Sequence, residues 1–440
     1  MVCARMEERP PMRFSGPAEL SLKLADALEC QWRGNGKRPG LTHGFHPYKA
    51  LMEPLAAAKL LELLPGTGAV LDPFVGSGTV MVETLLSGRK PVGTDVSTLA
   101  VGIARYHCWQ PSAEELESFR RSVAAVVASL ESLEGEAVFQ GWRQAWAAVK
   151  EQQSTTSEVV AGALWFVLSA EEEYVWPSWR KPASIAYRFR RTAERYQEKL
   201  ANLAKTVPKG TPAAQIRAAD ARVAPICNEE QDCKEEDKET NDLFDGIVTS
   251  PPYPGVFDYL AEKGCGGGLA TFVADLSHSQ KPNRHFLSKL EGEGKREVGG
   301  ITTLQELGSL GEMKRCQADP SQAGSFAQGW QADTEAWLYA CGAQLRDLGR
   351  MAIIIGDECG INTLDSITQA CAQISAANLR QQQQAPSSCK AKKADWGLQV
   401  IASASTTEQT TRPWKKQRRR AYRCEHTILV QKHQLNEVKS

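Results

Sequence analysis

The stretch from Ala69 to Thr79, AVLDPFVGSGT, limits the fold more than any other part of the chain. An apolar run that reads as a strand meets a turn holding Gly76 and Gly78, and a helical pattern opens at Thr79. Strand, glycine turn and helix in that order form the phosphate- or nucleoside-binding corner of a Rossmann-like unit, in which a mostly parallel sheet carries helices on both faces. Two of the three fingerprint glycines are present and no Lys-Ser/Thr follows, so this is neither a P-loop nor a full dinucleotide signature. The helix is predicted to run to about Leu86 and to stop at Gly88, which is free to adopt the left-handed conformation past a helix end. A second strand, Pro91 to Asp95, ends in an acid one strand-helix-strand unit later, where such folds hold ribose hydroxyls. Asp95 is therefore a candidate nucleoside anchor, and it would equally suit an N-cap ahead of Ser97 to Ala100.

A second loop carries the chemistry. Asp245 to Val248 reads as a strand, and Thr249-Ser250-Pro251-Pro252-Tyr253-Pro254-Gly255 follows it. Ligands of open parallel sheets bind outside the carboxyl ends of the strands, which is where this loop falls. Two successive prolines remove two backbone donors and leave the carbonyls of Ser250 and Pro251 free to accept hydrogen bonds from outside the chain. Tyr253 adds a flat apolar face with a polar tip. A planar substrate with an exocyclic amine suits the loop, and a nucleobase flipped out of its stack presents that surface. A rigid turn would use the same residues.

Asp72 to Thr79 taken together with Thr249 to Tyr253 resembles the paired signature of the amino methyltransferases, which methylate the exocyclic nitrogen of adenine or cytosine in DNA with S-adenosylmethionine. The resemblance implies an α/β, Rossmann-like class I methyltransferase fold, mostly parallel with one antiparallel strand near the end, plus a helical insertion. It implies that Ser250, Pro251, Pro252 and Tyr253 are catalytic, and that Asp72, Phe74, Gly76, Gly78, Thr79 and Asp95 bind the cofactor. Serine in the first place of the catalytic tetrapeptide resembles the cytosine-N4 group, with adenine N6 as the alternative. A His-Pro-Tyr segment lies against the methionine part of the cofactor in the family, and His46, Pro47, Tyr48 and Lys49 resemble it. His46 would serve equally as a loop histidine bonded to backbone. A strand ending in Asp220-Ala221-Arg222 resembles the family's third cofactor segment, whose acid meets the adenine amino group, so Asp220 is a further anchor. DNA is the implied partner and no metal is implied. Three other readings stay open. An RNA base methyltransferase of similar fold more often has Asn or Asp before Pro-Pro-Tyr. A nucleic-acid-binding protein that has lost turnover is permitted by the altered stretch 261–325, and a dehydrogenase would leave the Ser-Pro-Pro-Tyr loop unexplained.

With 440 residues, 42% of them hydrophobic and 24% charged, the chain can fill two or three cores. Its 52 basic and 52 acidic residues cancel, so any electrostatic case for a nucleic-acid partner is local. No apolar run approaches the roughly 20 residues of a membrane helix. Twelve cysteines without a CxxC pair fit a reducing compartment, and the expectation is an intracellular protein, cytoplasmic or nuclear. Met1 to Met6 would suit the opening of an organelle transit peptide, against which Glu7 and Glu8 argue. Nothing in the composition speaks to oligomeric state.

Along the chain, 1–40 reads as a lead-in with an amphipathic run at Leu20 to Leu28, and 41–109 as the cofactor-binding part, with a helix over Leu51 to Leu64 ended by Pro65-Gly66. Residues 110–209 read as a helical insertion opened by a Ser112 to Glu115 capping box. Its segment Arg180 to Lys199 interleaves Arg188, Arg190, Arg191 and Arg195 with Tyr187, Phe189 and Tyr196, after Trp176 and Trp179. That suits phosphate contact with base stacking, or a solvated helix face over an aromatic core. Residues 210–260 hold the rest of the core with the catalytic loop and an acidic surface loop at Cys227 to Thr240; 261–325 is a Gly- and Ser-rich variable region read as a lid, with Arg296 to Gly300 as a candidate substrate-framing element. In 326–440, helices are expected at Phe326 to Leu345 and Leu364 to Leu379, an exposed polar tract at Gln381 to Gln384, and strands at Arg350 to Asp357 and Glu425 to Val430. Within 412–423, Arg412, Lys415, Lys416, Arg418, Arg419, Arg420 and Arg423 surround Trp414 and Tyr422 with no acid among them. They are the candidate nucleic-acid contact, although a nuclear-localisation patch or a basic hairpin would look the same.

Overall fold

The computed structural model describes residues 12–34, 38–48, 51–131, 138–152, 154–175, 184–223, 243–254, 325–358, 360–384, 394–406 and 424–435. Its strands are β1 (Met12–Ser15), β2 (Val70–Asp72), β3 (Pro91–Asp95), β4 (Gln215–Ala218), β5 (Phe244–Thr249), β6 (Leu345–Gly356), β7 (Trp396–Thr406) and β8 (Glu425–Gln434). Among the described residues they form one sheet in the order β1-β7-β8-β6-β5-β2-β3-β4. The run β4-β3-β2-β5-β6 is parallel, while β8 lies antiparallel to both β6 and β7, and β1 antiparallel to β7. Strand order reverses between β2 and β5, and a crevice opens at the carboxyl ends of the strands at such a switch point.

Side-chain alternation decides the layering. Val70, Val248, Ala352 and Ile354 face one cluster with α1 (Ala18–Arg33), α2 (Pro54–Leu61) and α3 (Thr79–Leu86). Their strand neighbours Leu71, Ile247, Ile353 and Ile355 face the opposite cluster, which includes Trp337 of α9 (Ser325–Gln344) and Ile367 of α10 (Thr363–Gln384). Both faces are covered, which is why the central strands read as unbroken apolar runs. Helix α4 (Thr98–His107) links the sheet to α5 (Ala113–Glu131), α6 (Val138–Gln152), α7 (Glu158–Val175) and α8 (Ile185–Thr206), whose core of Phe119, Phe166, Phe189 and Tyr196 is a cluster of its own.

Several expectations are corrected here. The lead-in carries structure: β1 closes one edge of the sheet, and α1 buries Leu24 and Leu28 completely against it, with Leu24 O accepting from Thr427 Oγ1 at 3.0 Å. Helix α2 is shorter than Leu51 to Leu64 because Pro54 lacks an N–H and takes the first turn. Gln381 to Gln384 continue α10 past Leu379, with Gln381 and Gln383 exposed as expected. Strand β7 was unforeseen, since Ala402, Ser403, Ala404 and Ser405 are all small and give only a weak alternation. The basic and aromatic face of α8 follows its bland reading: Phe189 and Tyr196 are fully buried, while Arg188 pairs with Glu171 at 2.8 Å, Arg190 with Glu131 at 2.6 Å and Arg191 with Glu194 at 2.9 Å. Trp176, Trp179, Lys49, the acidic loop, the variable region up to 324 and the basic segment 412–423 lie outside the described residues.

Candidate active site

The glycine turn is built by close approach. Val75 N–H donates to Thr94 O at 2.8 Å, and a side chain on Gly93 would meet Val75 Cγ2 at 2.7 Å, so β3 must be bare where the turn crosses it. Gly76 and Gly78 have φ of +47° and +81°, conformations that glycine adopts without strain. A Cβ on Gly78 would lie 2.9 Å from both Cα and Cβ of Ala104 on α4, whereas one on Gly76 would come no nearer than 3.4 Å, to Tyr48 Cε1. Gly78 is thus closed against the protein, and Gly76 stands beside Tyr48.

Asp95 ties this turn to the next helix. Its Oδ2 accepts from Gly76 N–H at 3.0 Å and its Oδ1 from Ser97 N–H at 2.9 Å. The N-cap of α4 is Ser97, which accepts from Ala100 N–H at 3.3 Å, so the capping reading of Asp95 is set aside. Burial pushes the Asp95 carboxyl up to about 6 against the hydrogen bonds that lower it. Asp72, at the end of β2, is 2% exposed. Its Oδ1 accepts from Phe74 N–H at 3.1 Å and from the Thr249 hydroxyl at 2.6 Å. Burial pushes Asp72 up to about 7, with Asp95 adding to the rise and the bonds from Thr249 and Phe74 opposing it. Phe74 sits edge-on to Trp337 at 5.5 Å. Thr79 is buried, its hydroxyl 3.3 Å from Ser77 Oγ.

At the end of β5, Ser250 and Pro252 are half-buried and Pro251 is buried. Tyr253 is 9% exposed. Its ring edge sits where a side chain on Gly356 would be, 3.0 Å from that position, so the ring anchors the loop on β6. Asp220 is buried and bound by Arg222, whose guanidinium also reaches Asp333 of α9 at 2.7 Å.

His46 shows the backbone-bonded arrangement that was one of its two readings. Its ring is buried in the insertion, stacked on Phe166 at 5.6 Å, with Nδ1 donating to Pro47 O at 2.8 Å and Nε2 3.1 Å from Ser169 Oγ. Burial lowers it to about 4, so it is neutral at physiological pH. The residue that joins this segment to the glycine turn is His107, which sequence reading missed. Its Nδ1 donates to Ser77 O at 2.7 Å and its Nε2 accepts from His46 N–H at 3.3 Å. A lone histidine ending an amphipathic helix gives no signal of that role.

At the opposite end of the strands, Asp245 accepts from Gly68 N–H and pairs with Arg346 at 2.8 Å and Arg89 at 3.7 Å, a structural tie away from the crevice. Among the described residues no cluster of His, Cys, Asp and Glu is arranged to hold a metal ion, and no helix is long and apolar enough to cross a membrane.

The sheet order, with helices on both faces and the two loops at its switch point, defines an α/β, Rossmann-like fold. Comparison with known proteins adds a short likeness. The chain is 37% identical over 86 residues, 19% of its own length and 19% of the relative's, to the Type II methyltransferase M.MvaI of Kocuria varians. It is 32% identical over 80 residues, 18% of its length and 15% of the relative's, to the Type II methyltransferase M.MjaII of Methanocaldococcus jannaschii. The match thus spans less than a fifth of either relative. No family model matches the chain. The solved rRNA methyltransferase aviRa from Streptomyces viridochromogenes aligns over 89% of this chain and 90% of its own, at 12% identity and a TM-score of 0.27, an overlap too loose to argue from.

Proposed function

We propose that the protein transfers a methyl group from S-adenosylmethionine to the exocyclic amine of a base in DNA, cytosine N4 ahead of adenine N6. The observation that carries the reading is the hydrogen bond of 2.6 Å between Thr249 and Asp72, which joins the catalytic loop to the glycine turn across the switch point. The residues fit the cofactor. Buried Asp72 and Asp95, held up near neutrality by desolvation, suit a ligand that carries ammonium and sulfonium charge together with ribose hydroxyls. The bare Gly76 beside Tyr48 leaves room for close approach. Phe74, Gly78, Thr79 and Asp220 complete the proposed cofactor set, and Asp220 would have to share its carboxylate with Arg222.

When bound, S-adenosylmethionine supplies an electrophilic methyl group on a cationic sulfur. The chain's own task is to make a poor nucleophile adequate. The lone pair of an exocyclic base amine is delocalised into the ring. The Ser250 hydroxyl and the Pro251 carbonyl accept the two N–H bonds, drawing the nitrogen towards sp³ geometry and localising that lone pair on it. Positioning then supplies most of the remaining advantage. Tyr253 anchors the loop on Gly356 and serves as the stacking partner of the flipped base. No cysteine nucleophile enters this scheme. The segment 412–423, with Arg412, Lys415, Lys416, Arg418, Arg419, Arg420 and Arg423, is proposed to neutralise phosphates of the duplex.

Calorimetric titration of S-adenosylmethionine into the full chain tests the cofactor half of the proposal. Saturable binding is expected, with affinity falling roughly tenfold to a hundredfold in Asp95→Ala as two backbone N–H groups lose their acceptor. Absence of binding to the unaltered chain would overturn it.

A further inference from the structure

We propose that Thr249 is a positioning residue that couples cofactor binding to the catalytic loop through its hydrogen bond to Asp72, an inference that rests on the methyltransferase reading above. Thr249 is fully buried and Asp72 nearly so, and they end neighbouring parallel strands paired through Val70 with Gly246 and Leu71 with Ile247. Asp72 Oδ1 accepts both the Thr249 hydroxyl and Phe74 N–H, so one oxygen fixes the stems of both loops. Ser250 is the next residue after Thr249, and Phe74 lies two residues before Gly76. A movement of either loop must therefore stretch a bond shared with the other.

The bond also sets the charge of Asp72. Among the described residues, the groups facing that carboxyl are Asp95 from β3, the Thr249 hydroxyl from β5, Phe74 N–H from its own turn and the buried Cys341 from α9. None of these is a cation. The donors are what keep Asp72 from rising above about 7 in so buried a place, and Thr249 is the stronger of the two. A cationic cofactor binds the ionised form. Losing one charge-assisted hydrogen bond moves the pH at which Asp72 ionises up by about one.

The test is titration of S-adenosylmethionine into the full chain between pH 6 and pH 9 for the wild type, Thr249→Val and Thr249→Ser, with thermal melts alongside. Wild-type affinity should fall about elevenfold from pH 9 to pH 6, as expected for a group ionising near 7. Thr249→Val, which keeps the shape and loses the donor, should bind about fivefold more weakly than wild type at pH 7 and equally at pH 9, and Thr249→Ser should follow the wild type. At pH 9 with saturating cofactor, Thr249→Val should still turn over about tenfold more slowly, because Ser250 has lost its tether. A Thr249→Val curve that matches the wild type, or lies below it by one factor at every pH, assigns a merely structural role and overturns the inference, as does unaltered turnover at pH 9. If Thr249→Val does not fold, Asp72→Asn decides: binding to it should lose the step near pH 7, keeping only the roughly twofold fall by pH 6 that Asp95 gives, and a retained step near pH 7 overturns the inference. No binding by the wild type at any pH removes the parent reading itself, an outcome distinct from all of these.

Discussion

Substituting alanine at each of the two turn glycines should separate close packing from backbone strain. Both residues have positive φ, so either substitution costs about 1–2 kcal/mol for holding an L-residue in the left-handed region. Gly78→Ala adds a collision: its Cβ would stand 2.9 Å from Cα and Cβ of Ala104, atoms of a buried helix backbone that cannot swing aside. Overpacking of this kind costs about 1–3 kcal/mol, giving roughly 2–5 kcal/mol in total. Gly76→Ala meets Tyr48 Cε1 at 3.4 Å and Phe74 O at 3.9 Å, ordinary contacts, and should stay near 1–2 kcal/mol. Urea unfolding followed by tryptophan fluorescence measures both. Gly78→Ala should lose the larger share of stability by about 2 kcal/mol, and α4 should be the element that loses hydrogen-exchange protection. Equal losses at the two positions, or a greater loss at Gly76, would refute the packing of the turn against Ala104.

Other outcomes follow from the same geometry. Ser250→Ala should lower methyl transfer by about 10²-fold at saturating cofactor while leaving cofactor affinity within a factor of two, since only the charge developing on the amine loses a partner. Asp72→Asn should flatten the fall of stability with rising pH. The folded carboxyl ionises near 7 against 3.8 in the reference state, so the native protein holds a proton that the unfolded chain releases; stability present at low pH is lost between about pH 4 and pH 7, by up to about 4 kcal/mol. Thermal midpoints at pH 5 and pH 8 should therefore converge in the variant relative to wild type. Replacing Arg418, Arg419 and Arg420 with Ala should reduce the slope of log affinity for duplex DNA against log salt by up to about 2.7, and an unchanged slope would remove them from the phosphate contact.

What could be read from the sequence was what is decided locally. The glycine turn, the end of α3 near Gly88 and the loop after β5 follow from residues within a few positions of one another, and all three are where expected. The central strands were legible as apolar runs because both their faces are covered. Strand β7 was not, because its outer half is Ala and Ser and its place is set by pairing with β8 and β1. The site's internal wiring was equally hidden. Thr249 and Asp72 are 177 positions apart and His107 and Ser77 are 30 apart, and nothing in either segment names its partner. Environment was hidden in the same way: His46 packs on Phe166, 120 positions away, and Tyr253 beside Gly356, 103 positions away.

The most direct test of the proposed reaction is incubation of the purified chain with methyl-labelled S-adenosylmethionine and either duplex DNA or total RNA, followed by nucleoside mass spectrometry. Label in N4-methylcytosine from DNA is the predicted result, with N6-methyladenine keeping the reaction and changing the base. Label from RNA alone would contradict the DNA assignment, and no label from either nucleic acid despite measurable cofactor binding would contradict methyl transfer to a base.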